Sequence, residues 1–338
     1  MGLRYEEDVS NLSEDDRIPW GSLDGSCVVV TGATGLLGGL AADVLAARGN
    51  VRVVLPVRNV DKACQRFADA SNVEIVPWDA STGDVPKVQD CAYVLHLASN
   101  TDSRLMVERP VDTINTTVRG TAAMLELTRS TGARMCFASS MEVYGAGAPG
   151  ALGEREGGAL DAMSVRSSYP QAKQLAETLC AAYASQYGTA ACVARLAQSF
   201  GPGIASTDRR VFAEFARCCL EGRDIALLTD GSKSNMYTYT ADAVRALLLL
   251  VCDGAPGEAY NVANQRTFCS IYEMAQMVAC AFGHGTEVTR VVDEAAARRY
   301  AVSGRIFMDT TKVEGLGWQP DYDLIDMYAR MMADWNER

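Results

Sequence analysis

The stretch SCVVVTGATGLLGGLAADVLAARGN, Ser26 to Asn50, decides the fold. Val28, Val29 and Val30 open it as a β-branched run, the pattern of a buried strand. Gly32, Gly35 and Gly38 follow at three-residue spacing. Apolar residues then recur at helical period through Leu45, and Gly49 marks the helix end. Strand, glycine turn and helix in that order make a cradle for a pyrophosphate. The glycines let main chain approach the phosphates, whose charge sits at the helix N-terminus. Gly32, Thr34, Gly35, Leu36, Leu37 and Gly38 are therefore the expected contacts to a dinucleotide cofactor.

Working outward, VRVVLPVR (Val51 to Arg58) reads as the second strand. An acid at its end would grip the ribose hydroxyls of NAD, but Arg58 stands there. Arg58 suits the 2′-phosphate of NADP, or is a solvated strand end. The third strand, VEIVPWD, ends in Asp79, placed to reach the adenine. The fourth, YVLHLASN, passes Leu97 and Ala98 to Ser99, small enough to leave room for the cofactor, and Asn100 follows on the substrate side. His96 lies inside that strand and reads as a satisfied core histidine. A helix from Thr121 to Arg129 leads to the fifth strand, in FASSMEVYG (Phe137 to Gly145). Strands alternating with helices predict an α/β fold, a Rossmann-type doubly wound parallel sheet. Ligands bind at the carboxyl ends of such strands, so Ser139, Ser140 and Glu142 are expected on the ligand side.

The whole chain sets bounds. It has 338 residues, 48% apolar and 22% charged, as in ordinary soluble globular proteins. A net charge of -11 argues against nucleic acid as partner. Eleven cysteines without a CxxC pair, and only His96 and His284, offer no metal-ligand cluster, so no metal is expected. The cysteines read as buried thiols of a reducing cytoplasm. The start, MGLRYEEDVS, lacks the apolar core of a signal peptide, and ALLLLVC (Ala246 to Cys252) is too short to span a membrane. A cytoplasmic location with no membrane association is the expectation.

The chemistry lies in SVRSSYPQAKQLAETLCAAYASQYG. It reads as an amphipathic helix with Leu175, Leu179 and Ala182 on its apolar face. Tyr169 and Lys173, four apart, share a face. A phenol is a poor base at its usual pKa of about 10. A neighbouring ammonium and a cationic nicotinamide would favour phenolate.

TGATGLLGG, HLAS, SSMEVYG, Tyr169-x-x-x-Lys173, RLAQSFGPG, YTYTAD, GEAYNVAN and GLGWQP occur in that order. Over about Ser26 to Pro320 the chain resembles the extended short-chain dehydrogenase/reductase family of nucleotide-sugar epimerases, dehydratases and decarboxylases. It is most similar to the UDP-glucuronate decarboxylase-like and 4,6-dehydratase-like branch. The resemblance implies that Tyr169 removes the sugar 4-OH proton as hydride leaves C4. Lys173 would hold the ribose, and Ser140 would hydrogen-bond the reacting oxygen. Glu142 matches a glutamate that simple 4-epimerases usually lack, and would move or orient protons once a transient 4-keto sugar has formed. Three positions depart from the family pattern. Thr117 and Gln198 replace asparagines, and Gln198 keeps a polar reach to a substrate phosphate. Asn235 replaces an arginine that clamps the nucleotide diphosphate bidentately. Lys233, Arg209, Arg210 and Arg305 are the cations that could compensate, unless they are solvated surface charges.

The expected architecture has an acidic extension at residues 1–24 and a nucleotide domain from residues 25–196 plus about 236–264. A smaller α/β substrate domain takes residues 197–235 plus about 265–338. The Ile18-Pro19-Trp20 anchor suggests that the extension packs down, as a dimer contact or domain brace. The expected protein is a homodimer acting on a nucleotide-sugar with NAD(P), NAD slightly favoured over NADP. The alternative is a dissociable NAD(P)H-dependent reductase or dehydrogenase of a small substrate. A non-catalytic dinucleotide sensor need not keep Ser140, Tyr169 and Lys173 together.

Overall fold

The computed structural model of the chain describes residues 2–291 and 304–337. Seven parallel strands form the main sheet, in the spatial order Ala259–Val262, Ala190–Leu196, Arg134–Ser140, Tyr93–His96, Cys27–Thr31, Arg52–Val57, Val73–Pro77. The strand order reverses between Cys27–Thr31 and Tyr93–His96, which opens a crevice beyond their carboxyl ends. Val28, Val29 and Val30 are fully buried, because helices cover both sheet faces. A second sheet runs Asn264–Ser270, Ser234–Tyr239, Arg305–Met308, Gly147–Leu152, with Gln198–Phe200 paired to Ser234–Tyr239. A two-stranded sheet joins Val288–Arg290 to Ile225–Leu227.

The division between the units is finer than residue ranges suggest. The helix Thr240–Asp253 packs on the main sheet and Ala259–Val262 is its edge strand. The strand Ser234–Tyr239, however, belongs to the second sheet, as does Gly147–Leu152. The helix expected over Thr121–Arg129 runs Pro110–Thr131. Its first half is polar, which hides the apolar period. Thr113, Thr121 and Thr128 are buried there because each hydroxyl donates to the carbonyl four residues back.

The helix Ser168–Tyr187 overturns one expectation. It buries Tyr169, Ala172, Lys173, Ala176 and Cys180, while Leu175 is 49% exposed and Ala182 is exposed. Small side chains let this helix lie close to the fifth strand and to the helix Pro110–Thr131. Leu175 is left on the outer side, while Leu179 is half-buried against the cluster of Ala176 and Cys180.

The acidic extension is ordered against the rest of the chain. It forms the helix Leu3–Glu14, with Tyr5 and Leu12 buried. Tyr5 Oη donates to Asp43 Oδ2 at 2.7 Å, and Arg66 Nη2 reaches both. Asp8 accepts from Tyr239 Oη at 2.6 Å and from Arg330 Nη2 at 2.8 Å. Asp15 meets the buried Arg245, which also pairs with Asp242 and Asp321. The arm thus ties the glycine-loop helix Leu36–Arg48 to the C-terminal helix Leu324–Asn336. Asp8 and Asp15 are thus structural partners of arginines.

Candidate active site

The glycine turn has the geometry that its sequence requires. Gly32 adopts φ +72°, a left-handed conformation, and a Cβ there would lie 2.9 Å from the Leu97 carbonyl carbon. A Cβ on Gly38 would come within 2.3 Å of the Gly32 oxygen. Gly35 caps the helix Leu36–Arg48 with no side-chain hydrogen bond, so the amides of the first turn are free to meet a phosphate. This cradle fits the pyrophosphate of a dinucleotide. Lys62 Nζ donates to Thr34 O at 3.2 Å, putting a cation over the turn.

Thr31 locks the neighbouring strand end. Its hydroxyl accepts the amides of Leu97 and Ala98 at 3.1 and 3.0 Å, leaving its proton for His96 Nδ1 at 2.8 Å. His96 therefore carries its own proton on Nε2. Burial, and then the Lys173 charge, hold its pKa down to about 3. The ring stacks on Phe137 with centroids 5.6 Å apart. It is a core histidine, but only half satisfied, since Nε2 is buried without a partner. Ser99 Oγ is likewise buried and unpartnered beside this strand end.

At the far end of the crevice Asp79 Oδ1 accepts from the Ser81 amide at 2.9 Å and the Ser81 hydroxyl at 2.8 Å. These bonds, with the Arg58 charge, hold its carboxyl below the usual range. Arg58 is exposed, and with Trp78, Asp79 and Lys87 it lines an open cavity of about 500 Å³.

Ser140 ends the fifth strand and Tyr169 begins the long helix, and the Ser140 side chain lies near enough to the phenol to lower its pKa. Ser140 Oγ also accepts the Glu142 amide at 3.2 Å, starting the short helical turn Met141–Tyr144 that turns Glu142 back toward Tyr169. Burial and then the Glu142 charge push the Tyr169 phenol up, while the Ser140 side chain and Arg166 pull it down. The expected influence of Lys173 on the phenol does not dominate. Its Nζ donates to Ala138 O at 2.7 Å and lies 5.7 Å from the Tyr169 ring centre. Burial draws Lys173 down to about 7, with the Glu177 charge opposing.

Glu142 is held by Arg166, whose Nη2 donates to its two oxygens at 3.1 and 2.9 Å. Lys233 sits in the same field: burial lowers its pKa, Glu142 raises it and Arg166 lowers it. The structure thus brings Ser140, Glu142, Tyr169 and Lys173 together.

Other expected contacts are placed differently. Ser139 Oγ donates to Glu177 Oε1 at 2.5 Å, within a buried network where Arg195 binds Glu177 and Tyr144. Strand alternation separates it from Ser140, so its hydroxyl serves this network. Arg210 is paired with Asp208 at 2.7 Å. Arg305 donates to Pro149 O and lies over the Phe268 ring at 4.8 Å. Asn100 Nδ2 donates to Thr113 Oγ1 at 3.1 Å. Gln198 is half-buried opposite Tyr237, and Asn235 is buried with its Oδ1 unpartnered. Arg166 and Lys62 escaped sequence reasoning. For Arg166 a signal existed, since it precedes Tyr169 by three residues, one helical turn.

Crevice, glycine cradle and hydroxyl pair define a dinucleotide-dependent enzyme of the Rossmann class. The model of the NAD dependent epimerase/dehydratase family matches residues 28–263, and the chain belongs to that family. UDP-glucuronic acid decarboxylase 1 of Xenopus tropicalis is 28% identical over 287 residues, covering 83% of this chain but only 64% of that protein. UDP-glucuronic acid decarboxylase 2 of Arabidopsis thaliana is 28% identical over 330 residues, covering 95% of this chain and 71% of its own length. A Bacillus anthracis dTDP-glucose 4,6-dehydratase solved in complex with NAD superposes with TM-score 0.76 at 18% identity, over 93% of this chain and 97% of that one. It carries the same fold.

Proposed function

We propose that the protein converts a nucleotide-sugar by way of a transient 4-keto sugar, with Tyr169 as the base. The observation that carries this reading is the meeting of Ser140, Tyr169 and Glu142 near buried Lys173, at the carboxyl end of the fifth strand. A nicotinamide held at the glycine turn would supply a reversible hydride acceptor for the sugar C4–H. Tyr169 takes the proton of the 4-OH, while Ser140 holds the same oxygen. Protein groups alone keep the phenol protonated, so its ionisation draws on the Ser140 side chain, on Arg166 and on the cofactor's positive charge. Lys173 is placed to hold the ribose. Once C4 is a ketone, C5 becomes acidic, or a carboxylate on C5 leaves more easily. Glu142, oriented by Arg166, then places or moves the proton there.

NAD is the proposed resident cofactor, in line with the family. A second reading, a dissociable NADPH-dependent reductase, is favoured by Arg58 at the end of the second strand. Mass spectrometry of small molecules released on denaturation separates the two. Stoichiometric NAD, with or without a nucleotide-sugar, supports internal redox. Protein free of nucleotide that binds NADPH reversibly supports the reductase.

We further propose a homodimer built on the helices Ser103–Glu108, Pro110–Thr131 and Ser168–Tyr187. Their outer side exposes Val107, Val111, Ile114 and Leu175. Leu175→Glu is expected to yield monomer in sedimentation, and an unchanged mass would refute this interface.

A further inference from the structure

We infer that Tyr5, on the N-terminal arm, is a positioning residue for the dinucleotide cradle, and that docking of the arm and binding of the cofactor are coupled through it. This rests on the reading of the glycine turn as a dinucleotide site.

The first observation is that one buried side chain touches three elements around the turn. Tyr5 is 2% exposed. Its hydroxyl donates to Asp43 Oδ2 at 2.7 Å, on the cradle helix Leu36–Arg48. It accepts from Arg66 Nη2 at 2.6 Å, at the end of the helix Val60–Arg66, whose Lys62 reaches over the turn to Thr34 O. Its ring meets the loop Gly201-Pro202-Gly203, which follows the strand Gln198–Phe200. A Cβ on Gly203 would stand 3.0 Å from Tyr5 Cε2 and 3.2 Å from Leu36 Cδ1. Arm, loop and the first residue of the cradle helix therefore converge at Gly203, whose φ of +94° suits a residue without a side chain.

The second observation is that these contacts leave no slack. Arg66 lies across Gly39, one helical turn past Gly35, where a Cβ would come within 2.6 Å of its Nη1. Its Nη2 also binds Asp43 Oδ2 at 2.6 Å, so Tyr5, Asp43 and Arg66 close a triangle on the outer side of the helix. The loop is pinned from its other side. Asp334 Oδ2 accepts the Gly203 amide at 3.0 Å, and Ile204 O accepts from Trp335 Nε1 at 2.8 Å. Close-packed contacts transmit a displacement rather than absorb it. Loss of the Tyr5 ring removes the wall behind Leu36, and with it the restraint on the first amides of the helix, the groups that meet the pyrophosphate.

The third observation is that the arm has other anchors. Asp8 and Asp15 grip Arg330 and Arg245 on separate elements. A change at Tyr5 therefore alters the contact with the cradle while the arm stays attached. Linkage makes the coupling reciprocal: if the docked arm tightens the cofactor, bound cofactor tightens the docked arm by the same factor. Arg17 reports on docking. It is exposed, but Ile18 beside it is 2% exposed, so trypsin cuts between them only when the arm lifts.

The test is calorimetric titration of full-length wild type, Tyr5→Ala and Tyr5→Phe with NAD and with NADPH, at a temperature where melting curves show each protein folded. Tyr5→Ala is expected to bind nucleotide about tenfold more weakly than wild type, within the usual range of coupling between sites. Tyr5→Phe keeps the ring and should recover most of that loss. Saturating nucleotide should slow tryptic cleavage after Arg17 in wild type by a similar factor, and leave it unchanged in Tyr5→Ala. Tyr5→Leu takes the place of the alanine variant if that one does not fold. Equal Kd values for wild type and Tyr5→Ala would overturn the positioning role and leave the arm a brace of the fold alone. Protection of every tryptic site by one common factor would overturn the coupling, because it reports global stabilisation. Failure of wild type to bind either nucleotide would overturn this inference together with the cradle reading.

Discussion

Replacing Lys173 by methionine tests how the charge at the centre of the site is held. The side chain is 2% exposed, and burial takes its pKa from the usual 10.5 to about 7. Between those two values the unfolded chain holds a proton that the folded protein has released. Stability contributed at this site therefore rises with pH across the window, by about 1.4 kcal/mol per pH unit, and reaches its full value only near 10.5. Below pH 7 the whole cost of enclosing an ammonium is present, on the order of 4 to 5 kcal/mol. Methionine keeps the length of the side chain and carries no charge. It also loses the 2.7 Å bond to Ala138 O, a penalty of roughly 1 to 3 kcal/mol that does not vary with pH. The informative quantity is thus the slope. Denaturant unfolding of nucleotide-free wild type and Lys173→Met at pH 7 and pH 9 should show the balance shifting toward wild type by about 2 to 3 kcal/mol. The thiols titrate in both proteins and cancel. A stability difference constant within about 0.5 kcal/mol would refute the reasoning, because it would mean that Lys173 is as readily protonated in the folded protein as in the unfolded chain.

Three further outcomes are expected. Gly38→Ala should fold but lose NAD(P) binding in a fluorescence titration, because its Cβ would meet the Gly32 oxygen at 2.3 Å and push the turn aside. Retained affinity would refute the cradle. Tyr169→Phe should lower kcat at least about a hundredfold while leaving cofactor affinity within a few-fold, and full turnover would remove Tyr169 from the chemistry. Deleting residues 1–16 should lower stability by several kcal/mol, since it exposes the sites of Tyr5 and Leu12 and strips Arg245 and Arg330 of Asp15 and Asp8. An unchanged melting temperature would show that the arm braces nothing.

Much of this protein is legible along the chain. The valine run, the glycine spacing and the helical period after it determine the first crossover unit, because each of those signals is local: strand burial, left-handed turn and helix period all act within a few residues. Tyr169 and Lys173 come out the same way, as a four-residue helical spacing. The face of that helix does not. Leu175, Leu179 and Ala182 look like its core side, yet of these only Leu179 touches the core, and the sheet selects Ala172, Ala176 and Cys180, because closeness of approach outweighs side-chain hydrophobicity where helix meets strand. The acidic arm is similar: the Ile18-Pro19-Trp20 anchor suggests that it packs down, but only the folded chain brings Arg245 and Arg330 to Asp15 and Asp8 and Tyr5 to Asp43. Ser139 and Ser140 are adjacent hydroxyls in the sequence, and strand alternation sends one to Glu177 and the other to Tyr169. Chemical identity and local period belong to the sequence. Which charges meet, and what burial does to them, depends on residues far apart in the chain, because electrostatic energy follows distance and desolvation in space.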